Sequence, residues 1–141
     1  MSEANELTAI FRDTEAEFIR YFCETYKNEM QTPDGFSVFC KYPEDTAKHF
    51  CRGTSGVFQR TRAQRMGWVK YILFNPSERN VLIDTNTKKI LFFFTRRRKP
   101  HLIVCEKLDG KLNLISGFPV RGERAERYRN GDPPYVFYRP E

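Results

Sequence analysis

His49 and His101 are the only two histidines in this chain, and imidazole is the side chain best suited to moving protons near neutral pH. His49 keeps the more suggestive company. A small polar loop, Gly53 to Gly56, follows it, and Arg60, Arg62 and Arg65 come within the next sixteen residues. A general base beside cations that stabilise a pentavalent phosphorane is what RNA cleavage without a metal requires. His101 opens an apolar run next to Arg96–Lys99 and reads as structural, or as the edge of a substrate site.

Other chemistries find less support. Cys40, His49 and Cys51 could share a zinc, but their gaps of eight residues and one match no common ligand spacing. No carboxylates are paired at metal-ligand spacing, so neither a metal nor a cofactor is expected. A Walker loop, G-x-G-x-x-G and G-x-S-x-G are all missing, which leaves nucleotide-hydrolase and esterase readings unsupported. The four cysteines, Cys23, Cys40, Cys51 and Cys105, contain no C-x-x-C and read as reduced, mostly buried thiols.

The charge is unevenly spread. Against a net of +6, residues 1–48 carry 5 Lys/Arg and 10 Asp/Glu, a balance of −5, and residues 49–141 carry 19 and 8, a balance of +11. Such a body attracts polyanions in a salt-dependent way, and its preference for Arg over Lys suits phosphate, whose oxygens match the guanidinium fork. Candidate RNA-binding residues are Arg65, the run Arg96, Arg97, Arg98 and Lys99, and Arg121. The plain alternative for these clusters is a solvated basic face. The acidic first third could itself lie across the basic body and screen it.

These residues must be positioned by a fold, and 141 residues that are 40% hydrophobic and 15% aromatic suffice for one domain with a real core. Leu7, Ile10, Phe11, Phe18, Phe22 and Tyr26 predict an amphipathic helix over residues 6–28. Thr32-Pro33-Asp34-Gly35 is a turn, and Pro43 to Phe50 a short helix starting at its proline. Met66, Val69, Ile72 and Leu73 predict a second long helix from Arg60 to Leu73, stopped by Asn75-Pro76, with Trp68, Val69 and Ile72 in the core. From there the period shortens. Residues 80–84, 89–94, 101–105 and 111–116 read as strands with short polar links, Asp109-Gly110 marking a hairpin, and Tyr135 to Tyr138 could add an edge strand. Helices first and an antiparallel meander afterwards predict an α+β domain. Within the single domain 1–141, residues 1–42 form an acidic helix and loop, 43–120 a core, and 121–141 a basic tail. No apolar run is long enough for a membrane span. Met1–Asn5 is polar, with no basic segment leading into an apolar one, so no secretory signal and a cytoplasmic location are expected.

His49-Phe50, then Phe58 with Arg60 and Arg62, then Arg65 to Pro76, and finally Ile115-Ser116-Gly117-Phe118-Pro119 resemble, in order and spacing, the phage and mobile-element branch of the barnase–EndoU–colicin–RelE (BECR) nucleases. The resemblance covers roughly residues 45–120. It implies a small metal-independent ribonuclease fold: helices on a four- to five-stranded antiparallel sheet that carries the active cleft. By that resemblance His49 is the general base or acid, Arg60 or Arg62 holds the scissile phosphate, and Ser116, where the family often has Thr, orients the phosphate or the 2′-hydroxyl. The expected activity is endoribonucleolytic, of a toxin or phage-effector kind, on tRNA or mRNA, with an acidic antitoxin or immunity protein as a second partner. The competing expectation is a binding or protein-inhibitory module without chemistry. Tyr128 and Tyr135 could stack on bases or pack in the core.

Overall fold

The computed structural model describes residues 7–140; Met1–Asn5, and with them the expected start of the first helix at residue 6, lie outside the described residues. The chain folds as α+β. Helix α1 (Glu15–Thr25) starts later than its apolar pattern because Thr14 closes a capping box, its hydroxyl accepting from the Glu17 N–H while the Glu17 carboxylate accepts from the Thr14 N–H. Short strands β1 (Met30–Gln31) and β2 (Ser37–Phe39) follow, joined through the expected Thr32–Gly35 turn. Then come α2 (Pro43–Arg52), α3 (Arg60–Gln64) and α4 (Trp68–Phe74).

The expected continuous helix from Arg60 to Leu73 is thus two helices, broken by a 3-10 turn at Arg65–Gly67. The cause is a crossing. The segment ahead of α1 runs over this point, the Ile10 N–H donating to the Gln64 carbonyl at 2.9 Å, and a Cβ on Gly67 would stand 2.5 Å from the Thr8 carbonyl oxygen. Asn75-Pro76 ends α4 as expected.

Strands β3 (Arg79–Asp84), β4 (Ile90–Phe94), β5 (His101–Leu108) and β6 (Lys111–Pro119) form the antiparallel meander. The sheet is larger than expected, with seven strands in the order β1-β2-β6-β5-β4-β3-β7, where β7 (Tyr135–Phe137) is the anticipated edge strand. It is also mixed, since β2 runs parallel to β6. Residues 121–141, read as a tail, contain α5 (Gly122–Asn130).

Helices cover both faces. On one, α1, α2 and α4 bring Phe18, Phe22, Phe50, Trp68, Val69 and Ile72 onto Phe92, Phe94, Ile103 and Leu114. On the other, α5 seals a smaller core of Phe93, Leu102, Tyr128 and Tyr135. Tyr128 and Tyr135 are therefore packing residues, their rings 4.5 Å apart, and are not available as base-stacking platforms. The four thiols are free; burial pushes the Cys51 thiol up to about 11 and Cys105 higher still. No helix among the described residues is long and apolar enough to cross a membrane.

Candidate active site

Only Leu112 and Asn113 of β6 pair with β2, so the second half of β6, from Leu114 to Pro119, has no strand on that side. Helix α2 packs there, the Thr46 hydroxyl donating to the Leu114 carbonyl, and Arg62 of α3 reaches in to the Gly117 carbonyl. Facing the edge, the register between β5 and β6 slips at Val104/Cys105, which pair with Ser116 and Leu114 and leave Ile115 as the extra residue. A bulge of this kind re-aims the side chains next to it, and here it immediately precedes Ser116.

Two glycines let the parts meet. Gly117 lies under Phe50 of α2, where a Cβ would come within 2.5 Å of the ring. The close approach seats His49, one residue earlier, beside the edge of β6. Gly53, just past the end of α2, has φ +60°, and a Cβ there would stand 3.0 Å from the Arg62 guanidinium.

Arg62 ties these pieces together. Its Nε donates to the His49 carbonyl and a terminal nitrogen donates to the Gly117 carbonyl, both at 3.2 Å. The result is an open cleft of about 400 Å³ lined by His49, Thr54, Arg62, Ser116, Phe118, Pro119 and Arg124. Three expected site residues from three separate elements therefore share one cavity. Ser116 is largely buried in its wall, whereas the His49 imidazole is exposed and without a hydrogen-bond partner among the described residues.

Arg60, the alternative phosphate holder, is elsewhere. It donates to the Arg12 and Asp13 carbonyls and lies over the Phe58 ring, anchoring the segment ahead of α1. Two residues apart on a helix point about 200° apart, so only one of the pair could face the cleft.

The cations of the cleft differ from those that tie the fold together by ion pairs. Arg52, Arg79, Arg96 and Lys111 have carboxylate partners in Glu15, Asp34, Glu78 and Glu29 at 2.6–2.8 Å. Neither Arg62 nor Arg124 has one among the described residues. Burial lowers the pKa of Arg62 from its ordinary value, with the Cys51 sulfur opposing the shift. A half-buried guanidinium without a counter-ion is costly unless an anion supplies one.

Arg124, on the first turns of α5, completes the cation pair. Its guanidinium lies over Phe118 and donates to the Tyr128 hydroxyl at 3.1 Å. It was not among the site residues expected from the sequence. The usable signal was Ala125 and Tyr128, an i, i+3 apolar pair in an otherwise charged segment.

The expected RNA-binding residues separate into two groups. Arg65 and Lys99 lie over Trp68 at 5.1 and 5.6 Å, and Arg98 and Arg121 are exposed, all four without a carboxylate partner among the described residues. The Val120 N–H donates to the Pro100 carbonyl, so the loop carrying Arg98 and Lys99 meets the turn carrying Arg121. Arg96 is committed internally instead: it pairs with Glu78, donates to the Tyr71 hydroxyl and lies over Phe94. Arg97 is exposed and at 3.5 Å from Glu126.

His101 is a buried residue with its ring edge-on to Trp68, and both ring nitrogens lack a partner. Burial first, then the Arg65 and Arg62 charges, push its pKa down to about 3. It is a neutral packing residue behind the cleft wall. No group of three or more His, Cys, Asp or Glu among the described residues is arranged to hold a metal ion, and Cys40, His49 and Cys51 form no such group. The chain matches no family model, no curated protein and no solved structure.

Proposed function

We propose that this protein is a metal-independent endoribonuclease of the toxin or phage-effector type. One observation carries the reading: Arg62, half-buried and without a carboxylate, faces a cleft that also holds His49 and Ser116. A phosphodiester supplies the missing counter-ion. In the proposed step His49 takes the proton from a ribose 2′-hydroxyl and O2′ bonds to phosphorus. The P–O5′ bond breaks, leaving a 2′,3′-cyclic phosphate, and O5′ takes its proton from water in the open cleft. Arg62 and Arg124 stabilise the charge that grows on the phosphorane oxygens, and the Ser116 hydroxyl orients the reacting group. Arg65, Arg98, Lys99 and Arg121 extend the positive surface along which RNA lies. The ordered likeness of His49-Phe50, Arg62 and Ser116-Gly117-Phe118 to the barnase–EndoU–colicin–RelE nucleases agrees with this; the same reading implies a cytoplasmic site of action and an acidic antitoxin as partner.

The test is incubation of the purified protein with total RNA and mixed tRNA in EDTA, beside His49→Ala. Discrete fragments ending in a 2′,3′-cyclic phosphate, lost in the variant, are expected. Intact RNA with salt-sensitive binding moves the function to a binding or inhibitory module, which the unpaired basic rim serves equally well.

A further inference from the structure

Helix α5 packs on the face of the sheet opposite α2, yet it supplies a side chain to the cleft. Arg124 reaches it at the end of β6, over the ring of Phe118. The two cations of the cleft are held very differently. Arg62 is half-buried and already fixed by the His49 and Gly117 carbonyls. Arg124 is an exposed residue on a helix surface, and an exposed arginine gives up much rotamer freedom when a ligand orders it.

Tyr128 removes that cost in advance. The residue is 2% exposed, its ring packed against Phe93 at 5.7 Å and Tyr135 at 4.5 Å, so its hydroxyl sits on a rigid mount. That hydroxyl accepts from Arg124 Nε at 3.1 Å, while the guanidinium lies between the Phe118 and Tyr128 rings, at 5.6 and 5.9 Å. With Nε engaged, both terminal nitrogens of Arg124 have no partner among the described residues. They are a pair that can fork onto two phosphate oxygens. Arg127 gives the contrast. Three residues along the same helix, it lies over Tyr135 at 6.0 Å, donates no hydrogen bond from its guanidinium among the described residues and lines no part of the cleft.

We infer that Tyr128 is a positioning residue for the cleft, its hydroxyl setting the Arg124 guanidinium where the second cation meets the phosphate. The inference rests on the nuclease reading for that phosphate. The ring of Tyr128 belongs to the small core under α5, and its one polar atom serves the cleft. Fixing a donor before the ligand arrives is how a site avoids the ordering cost at the moment of binding.

An i, i+4 pair on a helix also adds a little stability of its own, and the experiment separates the two roles. It compares the parent with Tyr128→Phe, Arg124→Met and the double variant, with Arg127→Met as control. Three quantities are read: the initial rate on a labelled RNA, the affinity for inorganic phosphate, and the Arg124 Nε–H signal by NMR. Tyr128→Phe keeps the ring and its packing, so Tm should stay within about 3 °C of the parent. Cleavage should fall about tenfold, the worth of one hydrogen bond to a charged group. Phosphate should bind several-fold more weakly, and the Nε–H signal, sharp in the parent, should be lost to exchange with water. In the Arg124→Met background the same substitution should change neither rate nor affinity, and Arg127→Met should match the parent in both. Cleavage at the parent rate by Tyr128→Phe overturns the inference. So does a loss of equal size with and without Arg124, because the hydroxyl then acts through the fold. If the parent cuts no RNA while its phosphate affinity still depends on the Tyr128 hydroxyl through Arg124, the positioning role stands and the nuclease reading falls. If that affinity is indifferent to the hydroxyl as well, both fall.

Discussion

Arg79 and Arg62 both push a guanidinium into the protein, and only one of them meets a carboxylate there. Arg79, at the start of β3, has a side chain 1% exposed; it forks onto both oxygens of Asp34 and also donates to the Ile72 and Leu73 carbonyls. Burial acts to raise the Asp34 pKa, and the Arg79 and Thr32 hydrogen bonds together with the Arg79 charge outweigh it, so the carboxyl is held below its usual range. This is a closed arrangement that joins the β1–β2 turn to the main sheet. Arg62 has two carbonyl partners, no carboxylate, and a cavity in front of it. Arg79, buried for a structural purpose, brings its anion with it. The arginine of the cleft leaves that position for a ligand.

The contrast predicts opposite outcomes for similar substitutions. The largest effects should be on cleavage: His49→Ala is expected to slow it by about 1,000-fold and Arg62→Met by about 100-fold, measured as initial rates on a labelled RNA. Arg62→Met should nevertheless leave stability within about 1 kcal/mol, because an apolar side chain ends the desolvation of an unpaired charge. Asp34→Ala, by contrast, strands the buried Arg79 charge and should cost about 3 kcal/mol in urea unfolding. Should Arg62→Met destabilise as much as Asp34→Ala, the distinction between structural and ligand-seeking arginines fails.

Acid offers a finer probe. With its pKa pushed down to about 3 from an ordinary 6.5, His101 stays neutral in the folded chain while the unfolded chain takes up the proton. That contribution to stability is whole above pH 6.5 and is lost progressively as pH falls from there toward 3. His101→Phe should flatten this acid limb, raising Tm at pH 5 relative to the parent more than at pH 8. Arg62→Met, by removing one of the two nearby charges, should soften the same limb. The smallest effect expected is from Gly53→Ala. The strained left-handed position should cost about 1 kcal/mol, and displacement of the Arg62 guanidinium should slow cleavage several-fold.

Much of this was legible in the residues themselves, for identifiable reasons. The meander could be read because β3 to β6 are apolar runs separated by strong turn residues, and α2 because Pro43 starts it. His49, Arg62 and Ser116 could be picked out, but that they share a cavity could not, since it depends on Gly117 admitting Phe50 and on β2 leaving β6 half uncovered. Strands of two and three residues, as in β1 and β2, carry no usable period. Helix α5 was hidden by its charge: Ala125 and Tyr128 are its only buried residues. Arg96 illustrates the limit of charge runs, because its neighbour Arg98 points to solvent while Arg96 is claimed by Glu78, a residue eighteen positions earlier.

The single tryptophan occupies an informative place. Trp68 lies beneath two cations of the basic rim, Arg65 and Lys99, with the edge of the His101 ring against it. Indole emission responds to the local electric field, and a polyanion that draws those cations off the ring changes that field. On the nuclease reading the molecule therefore carries its own optical reporter of occupancy: fluorescence at one wavelength, with no label attached, is expected to change when RNA is added, and an unchanged emission would place any bound RNA away from this rim.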